Sequence, residues 1–308
     1  MTLQQMEYVL AVDRFRHFAR AAAHCRVTQP TLSAMIQKLE DELDAPIFDR
    51  SHQPVRPTAI GARIIEQARL ALAQADGIRQ IVAEEKHSLT GLFRLGILPT
   101  IAPYLIPRFF PQLRRQHPQL DIRVTEMKTE QVKAALHSGE VDAGIVAALP
   151  GMDGFVRNLL FYEPFLAYVS RGSELFGHDI IRTSDLANAQ LWLLDEGHCL
   201  RDQMVKFCQL KSVRANQEVY RLGSMETFMR MVEGGEGVTF IPGLAVDQLS
   251  ESQRELVRPF AIPRPARQIV MLTDRLFIRH TLLQAVAEEI RASVPAEMLV
   301  LQPSQVAI

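Results

Sequence analysis

Two cysteines in one short segment are the residues of this sequence best suited to chemistry. Cys199 and Cys208 stand nine positions apart, and Arg201 lies close to the first of them. Three apolar residues follow Cys199 at the spacing of one helical face, namely Leu200, Met204 and Phe207. This spacing predicts a helix that begins at or near Cys199. Because a helix N-terminus offers free backbone N–H groups and the positive end of a dipole, it favours a cysteine thiolate, as does a neighbouring arginine.

The separation of the two cysteines bears on whether they can form a disulfide. Nine residues of helix give ~13 Å of rise and place the side chains about half a turn out of phase. A disulfide requires the two Cα atoms to lie within roughly 7 Å of each other. If the segment is helical when reduced, a bond between Cys199 and Cys208 would require the helix to unwind. A disulfide whose formation changes the structure of the segment that carries it has the property that a redox switch requires.

Length and composition set the broad class of the protein. The chain has 308 residues, enough for two or three domains, and a net charge of −1, so any DNA-binding site must come from a local motif. No run approaches the ~18 apolar residues of a membrane span, and the N-terminus lacks the layout of a signal peptide. We therefore expect a cytoplasmic protein with no membrane association. Three cysteines are too few for a disulfide framework and fit reduced thiols, and Cys25 is expected to be a packed small hydrophobic residue.

The first 58 residues have the pattern of a winged helix-turn-helix. A short helix over 18–23 is followed by a turn, and Thr28 is a good N-cap for a third helix over 29–42. One face of this helix is apolar, and the other carries amide and hydroxyl groups that suit base edges. The polar face consists of Gln29, Thr31, Ser33, Gln37 and Lys38. Residues 46–57 read as a hairpin wing in which Arg50 and Arg56 can contact phosphates. The alternative is a small helical subdomain with a solvated face.

A long linker helix is predicted over residues 59–88. Small and apolar residues recur there at alternating steps of four and three, which is the pattern of a coiled-coil seam. They are Ile64, Ala68, Ala71, Ala75, Ile78 and Val82. A helix with one such seam needs a partner, so we predict a homodimer joined through 59–88; the alternative is a helix packed on its own domain. A symmetric dimer would present two recognition helices to a pseudo-palindromic site on double-stranded DNA.

From residue 89 onward, strands and helices alternate as in an α/β domain. Strands are predicted at 92–97, 121–125, 143–147, 166–169, 191–194, 218–221, 238–242 and 268–272, and helices at 102–116, 130–137, 225–233 and 281–292. We expect two lobes joined by two crossovers, lobe I over about 89–161 plus 268–308 and lobe II over about 162–267. Thr100, Thr129 and Cys199 each follow a strand and would meet in the cleft between the lobes. The chain from Pro295 onward carries no clear signal and is expected to fray.

Residues 1–58 closely resemble the LysR-type transcriptional regulators. The segments that carry the resemblance are 18–22 (Phe-Ala-Arg-Ala-Ala), 28–33 (Thr-Gln-Pro-Thr-Leu-Ser), 36–40 (Ile-Gln-Lys-Leu-Glu) and 48–50 (Phe-Asp-Arg). The resemblance implies an α/β protein with an N-terminal winged helix-turn-helix domain (1–58), a long linker helix (59–88) and a two-lobed, periplasmic-binding-protein-like regulatory domain (89–308). It further implies RNA polymerase as a partner and a homotetramer. The residues that match the DNA contacts of the family are Gln29, Pro30, Thr31, Ser33 and Arg50.

The regulatory domain resembles those members of the family that sense hydrogen peroxide. The matching segments are 98–100, 103–105, 197–203, 207–208, 224–227 and 263–267. By resemblance, Cys199 is the peroxidatic and Cys208 the resolving cysteine of a reversible disulfide that switches the regulation of oxidative-stress genes. The residues implied to form the peroxide pocket are Thr100, Thr129, His198, Asp202, Gln203 and, in support of the thiolate, Arg267. The chain departs from some relatives at Val219, where they carry a histidine, and this bears on the tuning of Cys199.

Three other functions fit the same residues. Most of the family binds a small organic metabolite in the cleft, and the cysteines would then be incidental. A thiol enzyme, such as a peroxidase or a cysteine hydrolase, would need a Cys-His-Asn or Cys-His-Asp constellation, of which only His198 beside Cys199 is evident. A zinc site from His198, Cys199 and Cys208 would lack closely spaced ligand pairs. We therefore expect a regulator that is not an enzyme and that holds neither a metal nor a cofactor.

The charges near Cys199 act on its pKa in both directions. Acidic residues close in sequence would raise this pKa, whereas two arginines would lower it. The acids are Asp195, Glu196 and Asp202, and the arginines are Arg201 and Arg267. Because the thiolate is the form that attacks a peroxide, Arg201 or Arg267 must outweigh the acids if Cys199 is to react, and the sequence leaves that balance open.

Overall fold

The structure is a computed structural model that describes residues 1–86, 89–195, 199–210, 224–235 and 237–308. The chain divides into two compact units, one of Met1–His87 with His137–Glu140 and the other of Ser88–Leu136 with Val141–Ile308. Within the described ranges, none of the helices combines the length and the apolar character needed to cross a membrane. Each unit is described by itself below.

The first unit contains the predicted helix-turn-helix and its wing. Its elements are α1 (Leu3–Phe15), α2 (Phe18–His24), α3 (Gln29–Leu43), β1 (Phe48–Asp49), β2 (Arg56–Pro57) and α4 (Ala59–Glu85). The two short strands pair antiparallel, so the hairpin wing is confirmed. Apolar side chains from α1, α2, α3 and the wing form one core. Its buried members include Val9, Val12, Ala21, Leu32, Ile36, Leu39, Ile47 and Phe48.

Threonine caps begin the two functionally important helices of this unit. The hydroxyl of Thr28 accepts a hydrogen bond from the backbone N–H of Thr31 at the start of α3. Thr58 does the same for Gly61 at the start of α4, at 2.9 Å. A Cβ at Gly61 would lie 1.9 Å from the carbonyl oxygen of Ile47, so only glycine lets the first turn of α4 pack directly on the wing. The caps predicted from sequence are therefore confirmed.

A buried glutamate in α3 fixes the wing. One oxygen of Glu40 accepts the backbone N–H groups of Ile47 and Phe48, at 2.7 and 3.1 Å. The other oxygen accepts from the guanidinium of Arg50 at 2.8 Å. The Arg50 guanidinium also lies 5.2 Å from the centroid of the Phe18 ring. Glu40 thus connects the recognition helix to the wing and sets the position of an arginine predicted to contact DNA.

We expect Glu40→Ala to destabilise the wing by about 3 kcal/mol, because it leaves two buried N–H groups without an acceptor and Arg50 without its counter-charge. Hydrogen exchange at the amides of Ile47 and Phe48 should become roughly a hundredfold faster. Glu42→Ala is the control, since Glu42 is exposed and pairs with the terminal amine. Equal exchange rates in the two variants would contradict this role for Glu40.

The second unit is built on one mixed sheet. Its helices are α5 (Ala102–Gln116), α6 (Thr129–His137), α7 (Cys199–Phe207), α8 (Met225–Glu233), α9 (Glu251–Arg254) and α10 (His280–Ser293). Its strands are β3 (Gly91–Ile97), β4 (Leu120–Glu126), β5 (Ala143–Ala147), β6 (Phe155–Val169), β7 (Val238–Pro242), β8 (Val257–Pro259), β9 (Arg264–Asp274) and β10 (Gln305–Ala307). The strand order is β4-β3-β5-β9-β6-β7, with β10 beside β9 and β8 beside β6. The predicted α/β class is confirmed.

Two long strands connect the halves of this sheet. The first ten residues of β6, 155–164, pair with β9, and its last five, 165–169, pair with β7. β9 in turn pairs with β5, which lies next to the parallel strands β3 and β4. Glu163 of β6 lies directly across from Arg267 of β9 in this register. The pairing of β6 with β9 therefore places an acidic and a basic side chain next to each other in the protein interior.

Two predictions about secondary structure are wrong. The segment 191–194 is buried but forms a single bridge, between Leu191 and Val238. The backbone N–H of Trp192 donates to the carbonyl of Val238, while the carbonyl of Trp192 accepts from the hydroxyl of Thr239 in place of a strand neighbour. The end of the chain does not fray, since β10 pairs in parallel with residues 264–266 of β9. The backbone groups of β10 find their hydrogen-bond partners on β9, and the sequence of this segment does not predict that pairing. The strand predicted at 218–221 lies outside the described residues.

Candidate functional site

The two cysteines of the predicted switch lie on one helix in their reduced form. Cys199 is the first residue of α7, and Cys208 follows its last residue. The backbone N–H of Cys208 donates to the carbonyl of Met204 at 2.9 Å, so helical hydrogen bonding continues through Cys208. Both thiols are free, with exposed fractions of 4% and 6%. The predicted helix is confirmed, and its geometry keeps the two sulfur atoms too far apart to bond without unwinding α7.

Three groups around Cys199 favour its thiolate. The guanidinium of Arg267 acts by its charge, the hydroxyl of Thr129 lies beside the sulfur, and the backbone N–H of Leu200 points at it from the first turn of α7; each lowers the pKa of Cys199. Burial outweighs them, and the pKa of Cys199 is raised above its ordinary value. The charge of Asp202 adds to this increase. The balance that the sequence leaves open is therefore set, in this reduced structure, by desolvation of the thiol.

Arg267 is the charged centre of the site and is fully buried. Its Nε donates to Oε2 of Glu163 at 2.8 Å, and its Nη2 lies 2.7 Å from the same oxygen in an ion pair. Its Nη1 donates to the hydroxyl of Thr100 at 3.1 Å, and its Nη2 donates to the Thr100 carbonyl at 3.0 Å. The guanidinium also lies over the ring of Phe165. The predicted pocket residue Thr100 thus holds Arg267, which in turn acts on Cys199.

Two polar atoms near the thiol have unused hydrogen-bonding capacity. Thr129 Oγ1 and Gln203 Oε1 are buried and have no hydrogen-bond partner of ordinary geometry within the described parts of the chain. Gln203 stands one helical turn after Cys199, and its Nε2 donates to the carbonyl of Ile308 at 2.6 Å. Buried polar groups are normally satisfied, so unused ones beside a thiol can receive a small polar molecule. A hydroxyl and an amide oxygen suit a molecule with two O–H donors.

The remaining predicted pocket residues are placed differently. The side chain of Asp202 is 57% exposed and lies 3.6 Å from Arg201, so it acts on Cys199 through its charge and lies outside the buried cluster. His198, Val219 and Glu196 lie outside the described residues, and so does any zinc site that includes His198. Among the residues that the structure describes, no group of three or more His, Cys, Asp or Glu side chains is arranged to hold a metal ion.

Sequence reasoning missed two acids of this region. Glu163 is fully buried against Arg267, and its only signal was a lone carboxylate within an apolar strand. Glu226, in the first turn of α8, accepts a hydrogen bond from the hydroxyl of Tyr104 on α5 at 2.9 Å. Burial and this carboxylate both raise the pKa of Tyr104, so its hydroxyl stays protonated and acts as the donor. Tyr104 therefore links α5 to α8.

The first unit presents the predicted DNA contacts on its surface. Most of these side chains are exposed on α3 and the wing, and Ser33 is half-buried. The exposed ones are Gln29, Pro30, Thr31, Arg50 and Arg56. One shallow depression is lined by side chains from α2, α3 and the wing, among them Arg20, Gln29, Ser33, Arg50 and His52. The ion pair with Glu40 holds the guanidinium of Arg50 at the edge of this depression.

Family comparisons agree with both units. Residues 3–62 match the family described as bacterial regulatory helix-turn-helix protein, lysR family. Residues 86–295 match the family described as LysR substrate binding domain. Together these two regions span nearly all of the described chain. The protein belongs to the LysR family of bacterial transcriptional regulators.

Individual relatives fall within one functional group of that family. The chain is 35% identical over 272 residues to a hydrogen peroxide-inducible genes activator of Pectobacterium carotovorum subsp. carotovorum, covering 88% of this chain and 90% of the relative. It is 33% identical over 292 residues to the DNA-binding transcriptional dual regulator OxyR of Escherichia coli strain K12, covering 95% of each. A solved structure of a full-length OxyR variant from Pseudomonas aeruginosa matches with a TM-score of 0.79 and 35% identity, covering 96% of this chain and 99% of that one. The resemblance found in the sequence is confirmed.

Proposed function

We propose that this protein is a transcriptional regulator that senses hydrogen peroxide through Cys199 and forms a reversible Cys199–Cys208 disulfide. The observation that carries this proposal is the surroundings of the buried thiol. The hydroxyl of Thr129 lies beside a sulfur that also faces the cation of Arg267. Gln203, whose buried amide oxygen has unused hydrogen-bonding capacity, stands one helical turn after Cys199.

The chemistry needs only the residues of this cluster and the peroxide. The thiolate of Cys199 attacks one oxygen of hydrogen peroxide, the O–O bond breaks, and the sulfur is oxidised to sulfenic acid while the other oxygen leaves as hydroxide. The hydroxide takes a proton and becomes water. The thiol of Cys208 then attacks the sulfenic sulfur, a disulfide forms, and a second water leaves. A cellular dithiol reverses the switch by reducing the disulfide.

The other parts of the chain transmit this change to DNA. In our proposal, residues 1–58 bind double-stranded DNA through Gln29, Pro30, Thr31, Ser33, Arg50 and Arg56, and 59–88 join two copies. The distal part of the predicted seam supports a partner helix, because Ile78 and Val82 are 68% and 52% exposed. A dimer, or a dimer of dimers, on a pseudo-palindromic operator would activate or repress through RNA polymerase in the cytoplasm. The protein acts by stoichiometric switching and is not an enzyme.

Peptide mapping without reductant tests the sensing step. The full-length reduced protein is treated with a stoichiometric pulse of hydrogen peroxide, digested and analysed by mass spectrometry. We expect one new disulfide-linked peptide that joins Cys199 to Cys208, and its loss on addition of a dithiol. Absence of that peptide, together with an unchanged DNA footprint, would leave a metabolite-binding regulator as the function. Repeated peroxide consumption in the presence of a dithiol would instead indicate a peroxidase.

The raised pKa of Cys199 predicts how oxidation depends on pH. Below the pKa of a thiol, its thiolate fraction rises about tenfold per pH unit. Because the pKa of Cys199 is raised, the initial rate of sulfenic acid formation in a Cys208→Ser variant should climb about tenfold per unit from neutral pH upward. Trapping with dimedone and mass spectrometry measures this rate. A rate that stays constant over this range would show that the thiol is already ionised at neutral pH.

A further inference from the structure

The Glu163 carboxylate shares the cation that acts on Cys199. Both Glu163 and Arg267 have no exposed surface, and two guanidinium nitrogens bond to the same carboxylate oxygen. The second oxygen of Glu163, Oε1, has no hydrogen-bond partner within the described residues. A guanidinium does not lose its proton in proteins, and a buried charge without a partner is strongly destabilising. Glu163 therefore supplies the negative charge that Arg267 needs while Cys199 is a neutral thiol.

The thiolate of Cys199 and the carboxylate of Glu163 compete for one cation. Arg267 stabilises either anion, and it can share its charge between them only at a cost to each interaction. In the reduced structure the geometry favours Glu163, whose Oε2 accepts a hydrogen bond from Nε of Arg267 at 2.8 Å and lies 2.7 Å from its Nη2. A thiolate at Cys199 is therefore stabilised only by the part of the guanidinium's electrostatic field that Glu163 does not neutralise. Removal of the carboxylate charge would leave the guanidinium of Arg267 without its anionic partner, so that more of its charge could stabilise the thiolate.

We propose that Glu163 is a positioning residue that sets the reactivity of Cys199 by neutralising and orienting Arg267. The proposal rests on the proposed function of Cys199 as a peroxide sensor. By holding part of the cation's charge, the carboxylate keeps the resting thiol largely protonated and unreactive. The sensor then responds to peroxide and resists incidental alkylation or oxidation at low oxidant levels.

Other charged groups near the pair do not change this assignment. Arg108 and Arg267 both oppose the effect of burial on Glu163, and burial raises the pKa of that carboxyl. The neutral hydroxyl of Tyr104 also faces the pair. On the side of α7, Asp202 raises the pKa of Cys199, and it is largely exposed to solvent beside Arg201. Among the charged groups of the described residues, Glu163 is the one whose carboxylate bonds directly to the Arg267 guanidinium.

Alkylation kinetics test the proposal without any peroxide. In the full chain with Cys25→Ser and Cys208→Ser, Cys199 is the sole thiol, and its rate of reaction with iodoacetamide is followed across neutral and alkaline pH. We expect Glu163→Gln to lower the midpoint of this profile by about one to two pH units and to raise the rate at neutral pH about tenfold or more. An unchanged or higher midpoint would overturn the proposal. A lowered midpoint in a protein whose DNA footprint ignores peroxide would refute the sensor function alone.

Two further variants separate the electrostatic effect from damage to the fold. Glu233→Gln removes a carboxylate that bonds to Tyr168, Arg230 and Gln253 and should leave the midpoint unchanged. If Glu163→Gln does not fold, Arg267→Gln is compared with the double variant Glu163→Gln/Arg267→Gln, in which no charge remains at the pair. Arg267→Gln should raise the midpoint, and the added Glu163→Gln should lower it again. A double variant whose midpoint is not below that of Arg267→Gln would overturn the proposal as well.

Discussion

A chain that carries Cys199→Ser is expected to bind its operator as tightly as the parent and to lose its response to hydrogen peroxide completely. Serine preserves the size and the burial of the side chain but cannot be oxidised to a sulfenic acid or a disulfide. α7 should therefore stay helical whatever the oxidant. A footprint on operator DNA, recorded before and after a peroxide pulse, measures the effect. A Cys199→Ser footprint that still changes with peroxide would exclude Cys199 as the sensor.

Cys208→Ser separates the two steps of the switch. In this variant Cys199 should still form a sulfenic acid, but no disulfide can follow, and the footprint should remain that of the reduced protein. The reason is geometric, since only the disulfide demands that two Cα atoms approach to within roughly 7 Å and so unwinds α7. Dimedone labelling detects the sulfenic acid. Cys25→Ser is the matched control and should behave as the parent, because Cys25 lies in the first unit on the turn after α2.

The unwinding of α7 has a defined structural consequence. Gln203 lies between the two cysteines, and its amide donates to the carbonyl of Ile308 next to β10. Ile308 in turn donates its N–H to the carbonyl of Ala266, beside Arg267. Loss of the helix therefore releases Gln203 from the chain segment that covers the start of β9. Hydrogen exchange in residues 199–207 and 305–308 should increase together on oxidation, which links the local bond to a wider change in the regulatory unit.

Most helices and strands could be predicted because their signals are local. Thr28, Thr58 and Ser224 each cap the helix that their position predicts, and α5 begins and ends where its pattern of apolar residues does. The strand at 191–194 could not be predicted correctly, because an apolar run shows burial without showing hydrogen-bond partners. β10 was missed for the opposite reason. Its residues are ordinary, and its strand character depends on an edge of β9 that lies some forty residues earlier in the chain.

The electrostatics of the site could be predicted only in part. Six residues were predicted to form the pocket of Cys199, namely Thr100, Thr129, His198, Asp202, Gln203 and Arg267. In the structure Thr129 and Arg267 act on the thiol and Thr100 bonds to Arg267, whereas Asp202 is largely exposed. The direction of the pKa shift of Cys199 could not be predicted, because sequence shows the nearby charges but not the desolvation that dominates here. Glu163 was missed since it is 104 residues from Arg267 along the chain and meets it only through the pairing of β6 with β9. Burial and long-range pairing are the quantities that a single sequence does not contain.

A second substitution with a large expected effect tests the predicted dimer rather than the cysteines. Ile78 lies on the exposed part of the coiled-coil seam of α4, and in a symmetric dimer it faces a copy of the same helix. Ile78→Glu would place two like charges in an apolar contact and should dissociate the dimer. A single recognition helix then binds one half-site, and operator affinity should fall by about two orders of magnitude or more. Analytical ultracentrifugation and a DNA-binding titration at fixed salt measure the two effects.

The matched control places the same charge on another face of the same helix. Gln80 lies two positions further along α4, where its side-chain amide donates to Asp76, outside the predicted seam. Gln80→Glu adds a glutamate there and should cost only a few tenths of a kcal/mol from the nearby acid. It should therefore keep both the dimer and its affinity for DNA. If Ile78→Glu remains a dimer that binds DNA like the parent, residues 59–88 do not join the two copies. The change in α7 would then have to reach the DNA-binding domains by another contact, because a seam that does not hold two chains together cannot set the spacing of two recognition helices.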